Sequence, residues 1–380
     1  MVMAKRDVTI YSPGSASLFQ RGVGRTGGAE RQMALLADAI ARRDHRVALV
    51  VFPVPDPVAD AHPRLALVER RFRPRSGGIV GTVLEAVSVV RALVAAGGRV
   101  TVVRSGTPIV GFIALYSLIW RRRFVFSSAN NFDFLSREDM SRVQLWLYRF
   151  GVRRADVTVV QSSEQIELAR RAFPKIKTPV RIPSFADEPS DSTLGEGEAF
   201  VWVGRLVDYK RPLLYAELAA AVPDARFVLV PHLPQEVTQE QRQVLEELER
   251  LAERMDNLEI GQGLPHAALV ETLDSAVAVV NTSSFEGMPN TFLEAWGRGV
   301  PVLTYSFDPD GVVAERGLGI SAEGDWDNFV AGARKLWKER ADRVEIAQRA
   351  RSYLREVHST EVVGAQWEEL LASLGAFETP

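Results

Sequence analysis

The sequence predicts an α/β protein of two Rossmann-like domains in succession, facing each other across a cleft, with a last helix packing back towards the first. Three observations predict it. Short β-branched apolar runs alternate with helical stretches along most of the chain, the pattern of parallel βαβ units. The alternation breaks once, at residues 183–198 (PSFADEPSDSTLGEGE), whose Pro, Ser, Gly and acidic content reads as a linker. At 380 residues the chain is too long for one comfortable domain and suits two.

In the first half, strands are expected at 7–11, 46–52, 99–103, 123–127 and 156–161, with helices at 29–43, 79–96, 108–121, 140–153 and 162–172. The second alternation gives strands at 199–203, 226–230, 257–260, 276–281 and 300–305. Helices at 211–222, 236–254, 265–275, 290–298 and 325–338 separate them. Residues 360–373 hold Val362, Val363, Trp367, Leu370 and Leu371 at amphipathic spacing, which suits a helix lying on a neighbouring domain. The domains so drawn are 1–183, a linker 184–198, 199–355, and a crossing helix within 356–380.

Composition narrows the function classes. There is no cysteine, which excludes disulfide frameworks, thiolate nucleophiles and Cys-ligated zinc and fits a cytoplasmic protein. Met1 to Asp7 is short and polar and runs straight into Val8-Thr9-Ile10-Tyr11, unlike a signal peptide. The longest apolar run, Pro108 to Trp120, has 13 residues, whereas a membrane span needs about 20. The net charge of −2 hides an asymmetry: residues 1–185 hold 29 Lys+Arg against 14 Asp+Glu, and residues 186–380 hold 17 against 34. A basic half facing something anionic and two halves attracting each other fit this count equally well.

The basic half contains the run 108–120 followed directly by Arg121-Arg122-Arg123. It also contains residues 142–154 (RVQLWLYRFGVRR), which mix Trp146, Tyr148 and Phe150 with Arg142, Arg149, Arg153 and Arg154. That composition is typical of interfacial helices, so an anionic membrane surface is one expected partner, at the inner face. Core helices flanked by arginines explain the same residues.

The most informative stretch is 285–303 (FEGMPNTFLEAWGRGVPVL). A strand ends at Asn281, a Ser/Gly/Pro turn follows, and a helix starts near Pro289-Asn290. Free N–H groups and the helix dipole make such a start an anion site. Glu294, about one turn in and flanked by Phe292, Leu293, Ala295 and Trp296, would find partners in the vicinal hydroxyls of a ribose. Gly204-Arg205-Leu206 and Lys210-Arg211-Pro212 follow the strand at 199–203. Arg205 offers a planar fork for phosphate oxygens and Lys210 a point charge, while Arg211 reads as surface. Gly27-Gly28-Ala29-Glu30 opens the first helix as a glycine turn. Asp308-Pro309-Asp310 resembles a metal motif, but no supporting cluster accompanies it, so it reads as an acidic loop.

Glu286 and Glu294, separated by seven residues, with Gly287-Met288-Pro289-Asn290 between and Gly299-Val300-Pro301-Val302 after, closely resemble the signature of glycosyltransferase family 4. Its members have the GT-B fold and retain anomeric configuration. The resemblance spans the glycine loop, linker, diphosphate loop, glutamate pair and terminal helix. It implies a retaining glycosyltransferase working on a nucleoside-diphosphate sugar, without metal or other cofactor and without nucleic acid, in polysaccharide or glycolipid synthesis. The acceptor would be a carbohydrate or a lipid-linked one, held by the first domain. On the resemblance, Arg205, Lys210 and Glu286 carry catalysis. Donor binding falls to Gly27, Gly28, Gly204, Arg205, Lys210, Glu286, Gly287, Met288, Pro289, Asn290 and Glu294, with Glu294 on the ribose and Glu286 on the sugar.

The resemblance departs in two places. Many members carry a histidine after the strand equivalent to 123–127, where this chain reads Ser127-Ser128-Ala129-Asn130-Asn131-Phe132-Asp133; Asn130 or Asn131 is the candidate sugar contact there. The family's Pro-Asn before the linker is Pro183-Ser184 here. A sugar-nucleotide epimerase or hydrolase on the same fold, or a catalytically weak donor-binding subunit, fits the same motifs.

Overall fold

A computed structural model of the chain describes residues 6–20, 27–56, 62–71, 78–135, 137–189, 195–233, 237–261 and 266–377. The chain forms two compact units: residues 1–185 with 360–380, and residues 186–359.

The first unit is a parallel sheet of β1 (Arg6–Tyr11), β2 (Val47–Val51), β3 (Leu65–Glu69), β4 (Gly98–Arg104), β5 (Arg123–Ser127), β6 (Val157–Val160) and β7 (Val180–Arg181). They lie in the order β3-β2-β1-β4-β5-β6-β7. The helices between them are α1 (Gly28–Arg42), α2 (Gly78–Ala96), α3 (Ile109–Ile119), α4 (Arg142–Arg154) and α5 (Ser163–Ala172). Val47–Val51 is buried at every position, as a strand covered on both faces must be. α3 and α4 cross where Gly111 meets Gly151. A Cβ at Gly151 would stand 2.6 Å from the Gly111 nitrogen, so the two backbones approach this closely only because neither residue has a side chain.

The other face of this sheet is covered by α1 and by α13 (Thr360–Ser373), whose Val363, Trp367 and Leu371 join the core of Ile10, Leu36, Leu49 and Val102. The crossing helix is therefore part of the first unit's core. Burial of a Trp, a Val and a Leu is worth roughly 5 kcal/mol of apolar transfer.

The second unit is a parallel sheet of β8 (Ala199–Gly204), β9 (Phe227–Pro231), β10 (Leu258–Ile260), β11 (Ala276–Asn281), β12 (Val302–Thr304) and β13 (Gly319–Ser321), ordered β10-β9-β8-β11-β12-β13. Its helices are α6 (Pro212–Ala221), α7 (Gln239–Ala252), α8 (His266–Asp274), α9 (Asn290–Gly297), α10 (Val312–Glu315), α11 (Trp326–Lys338) and α12 (Val344–Tyr353). Trp296 is fully buried, donates its indole N–H to the Leu318 carbonyl at 3.1 Å, and meets Tyr353 edge-on.

The stretch that reads as a linker is anchored at its start. The Phe185 backbone exchanges both hydrogen bonds with the Gln32 carboxamide, at 2.7 and 2.8 Å. Next along the chain, the Ala186 N–H donates to the His358 carbonyl in the second unit. The structure also adds elements that periodicity did not indicate: β3, β7, β13, α10 and α12.

Candidate functional site

In the second unit the strand order runs away in opposite directions from β8 and β11. The crevice outside their carboxyl ends is thus the topological switch point, where ligands bind in open α/β sheets. The loop after β8 carries Arg205 and Lys210; the loop after β11 carries Glu286 and leads into α9. The structure brings these two segments together.

Buried Trp202 starts the contact, donating its indole N–H to the Thr282 hydroxyl at 3.0 Å. Thr282 in turn donates to the Lys210 carbonyl at 2.6 Å, and the Ser284 N–H donates to the Tyr209 carbonyl at 2.8 Å. Gly204 leaves room for that indole, since a Cβ there would stand 3.0 Å from the Trp202 ring. The ammonium of Lys210 pairs with the Glu286 carboxylate, which also accepts from the Ser283 hydroxyl at 2.8 Å. Glu286 is 8% exposed. A buried carboxylate needs such partners, because losing hydration uncompensated costs several kcal/mol. Arg205 is exposed and donates to the Tyr209 hydroxyl at 2.8 Å, and Tyr209 stacks on Phe285 at 4.8 Å. A rigid platform thus holds a cation at the loop's outer edge.

α9 begins at Asn290, with Pro289 at its cap position and no side-chain cap. Gly287 and Pro289 are buried; Met288, Asn290 and Glu294 are partly exposed. Glu294 lies one turn in, and its carbonyl accepts from Arg298.

Arg211 departs from the surface reading. It has left-handed backbone angles (φ 46°, ψ 56°), uncommon for a residue with a side chain, and caps α6. Its guanidinium donates to the Thr282 carbonyl at 2.8 Å and to the Ser306 hydroxyl at 3.2 Å, and lies over the Tyr305 ring. It braces three loops. Asp308 is committed to α10, accepting from the N–H groups of Val313 and Ala314 at 2.9 and 3.1 Å. Burial raises its pKa, against the pull of those two N–H groups.

In the first unit Gly27 caps α1 and Gly28 is its first residue, both exposed; residues 21–26, the rest of that loop, lie outside the described residues. After β5, Asp133 organises the turn. Its carboxylate accepts from the Ala129 N–H at 2.6 Å and the Ser128 hydroxyl at 3.1 Å, and burial raises its pKa. Asn130 serves as a cap, its side-chain oxygen accepting from the Phe132 N–H at 2.9 Å. Asn131 is buried and donates to Glu164 at 3.0 Å.

Sequence reasoning missed Trp202, Tyr209 and Thr282, which hold the two loops together, and Ser283, which holds the Glu286 carboxylate. The polar triplet Thr282-Ser283-Ser284 directly after a buried apolar strand was the available signal. Asp133 had none beyond its place in a turn.

Comparison with known proteins agrees with this fold. The glycosyltransferase family 4 model matches residues 26–184, and the glycosyl transferases group 1 model matches residues 186–353. No curated protein matches. Among solved structures, sucrose-phosphate synthase from Thermosynechococcus elongatus is similar at 16% identity and TM-score 0.75, covering 97% of this chain and 99% of that one. HepE from Anabaena, solved with UDP-glucose, aligns at 18% identity and TM-score 0.69, covering 96% and 99%. A glycosyltransferase from Rickettsia africae aligns at 13% identity and TM-score 0.68, covering 97% and 98%. These likenesses establish a shared fold, and the two adjoining family matches establish kinship: this chain belongs to glycosyltransferase family 4 and is a glycosyltransferase of the GT-B fold.

Proposed function

We propose that the protein transfers a sugar from a nucleoside-diphosphate sugar to an acceptor hydroxyl with retention of configuration, in polysaccharide or glycolipid synthesis. The observation that carries this is the meeting of Lys210 and Glu286 at the switch point of the second unit, beside Arg205 and the uncapped start of α9. One cluster then offers cations and N–H groups to a diphosphate and a carboxylate to a sugar. As the bond between the anomeric carbon and the phosphate oxygen breaks, Arg205 and Lys210 stabilise charge gathering on the leaving diphosphate. Glu286 orients the sugar and Glu294 holds the ribose. The acceptor oxygen attacks from the side the diphosphate leaves, and its proton passes to a phosphate oxygen. No protein nucleophile is needed, and neither metal nor cofactor. UDP-glucose, which HepE holds, is the first donor to try.

The acceptor is proposed to be lipid-linked and met at an anionic membrane surface. No helix among the described residues is long and apolar enough to cross a membrane. Yet the neighbouring helices α2, α3 and α4 expose Val80, Val83, Ile119, Val143 and Trp146 at 54–72% of their surfaces. Arg121, Arg123, Arg142 and Arg149 are exposed on or beside the same helices. Apolar groups with basic neighbours are the makings of a reversible interfacial contact.

Incubation with a nucleotide-sugar panel and lipid-linked acceptors tests the proposal, with the anomeric configuration of the product read by NMR. An inverted product would overturn retention. Turnover to free sugar in the presence of every acceptor would favour a hydrolase.

A further inference from the structure

Arg104 ends β4, next to β1, at the point where the strand order of the first unit's sheet reverses. The β4–β5 register sets it beside Ser127, and Gln161 follows directly on β6, so three adjacent strand ends present an arginine, a serine and a glutamine. All three line one small cavity with Gln32 and Trp367. The cavity's free space, mouth included, is about 210 Å3, and its closed depth holds little more than a water-sized group.

Gln32 is spent on the Phe185 backbone, but Arg104 and Gln161 keep buried polar atoms without a partner. The other buried or half-buried arginines have clear partners. Arg70 donates to the Tyr11 hydroxyl at 2.7 Å and to Glu85 at 3.1 Å. Arg137 holds Asp139 and the Gly106 carbonyl, and Arg343 the Gly195 carbonyl at 2.6 Å. Arg104 makes no side-chain hydrogen bond and no ion pair among the described residues, and its buried Nε has no acceptor. Asp133 and Glu30 act on it only through their fields, and burial holds its guanidinium down at about 10. Gln161 is 6% exposed, and its buried Oε1 also has no partner. An amide flip would turn an N–H into that place. A partly buried guanidinium without a counter-charge is costly, and an unpaired charge at a strand-end crevice is the usual sign of a ligand's opposite charge.

We propose that Arg104, with Ser127 and Gln161, binds a phosphoryl group carried by the acceptor. This reading rests on the proposed transferase function and narrows its acceptor to a phosphate-bearing one, either a soluble sugar phosphate or a lipid phosphate. The phosphoryl group sits at the cavity mouth with one oxygen reaching the water-sized depth, while the rest of the acceptor remains outside.

Calorimetry on the full chain tests this with glucose 6-phosphate against glucose, and with neutral vesicles with and without undecaprenyl phosphate. The expected result is binding of at least one phosphate probe and of neither control. That binding should weaken about tenfold or more in Arg104→Gln and be retained in Arg205→Ala. The probe that binds identifies the source of the phosphate. Free Arg104→Gln should also melt about 2–4 °C above the wild type, because an uncompensated charge is gone. A merely structural arginine would give the opposite shift. Neither phosphate probe binding, or binding lost in Arg205→Ala but kept in Arg104→Gln, overturns the proposal. UDP affinity, measured on the same samples, reports separately on the donor site and should be unchanged in Arg104→Gln.

Discussion

Lys210 and Glu286 hold each other, so a diphosphate must compete with a carboxylate for that ammonium. Arg205 has only a tyrosine hydroxyl to give up. Both cations are asked to stabilise the departing diphosphate. Arg205→Ala and Lys210→Ala should therefore each lower kcat/KM by about 30- to 1,000-fold, roughly 2–4 kcal/mol of transition-state stabilisation, with the fold intact. Circular dichroism and steady-state rates check it, and near-normal turnover in either variant removes that residue from the site. Glu286→Ala releases Lys210, so nucleoside-diphosphate affinity should hold or rise while turnover falls. Glu294→Ala should weaken that affinity instead. Calorimetry with the bare diphosphate separates the two, and equal losses would contradict the division of roles.

Among the elements, the start of β1 shows how a single carboxylate fastens two strands. Asp7 accepts from the Arg46 N–H at 2.8 Å and from its guanidinium at 2.9 Å, tying β1 to the residue before β2. Burial alone would raise the Asp7 pKa; the hydrogen bonds from the Arg46 side chain and backbone outweigh it and hold the carboxyl below its ordinary value. The folded state therefore gives up this proton more readily than the unfolded chain. The pairing stabilises above the ordinary aspartate pKa of about 3.9, and that stability is lost as pH falls through the lower folded value. Asp7→Asn should be less stable than wild type at pH 7, and the difference should vanish in strong acid. Denaturant melts across that range decide it; a constant difference would mean that the charge is not involved.

The elements that sequence reading found are those whose burial follows the chain's own period. β2 is apolar throughout, and β11 up to its last residue, Asn281, because both sheet faces are covered; α9 starts where the Pro289-Asn290 turn indicates. α12 was not legible because it buries small alanines, Ala347 and Ala350, beside Tyr353 and exposes Val344, leaving no apolar stripe. β7 and β13 have only two and three residues and depend on a neighbouring strand rather than on propensity. In the site, the residues proposed to touch the donor carried family-specific spacing. Thr282, which holds the loops together, works through contacts some seventy residues away and has no local pattern.

At the scale of the whole molecule, charge is divided between the units. The first, including its crossing helix, holds 29 Lys+Arg against 18 Asp+Glu, and the second 17 against 30, balances of +11 and −13. A basic unit with apolar helix faces should float with anionic vesicles at low salt, and less so with neutral vesicles or at high salt. Equal recovery with both lipids at low salt would point to a soluble acceptor. The second expectation concerns α13. A chain ending at Ser359 loses Val363, Trp367 and Leu371, all at most 3% exposed, from the core of the first unit. That loss is comparable with a domain's whole stability. Hydrogen exchange should then show β1 and β2 unprotected and β8 and β9 still protected. Protection surviving in both sheets would mean that α13 is dispensable.

The placement of α13 also sets an order on synthesis. A ribosome delivers β1 first, yet the core around it stays open until residues near 371 have emerged, after the entire second unit. Residues 186–359 are contiguous and can close as soon as they are out. The half made first is therefore finished last. In the interval its uncovered Ile10, Leu36 and Leu49 are the natural place for a chaperone to hold, and slowing translation between residues 359 and 371 should lengthen that hold.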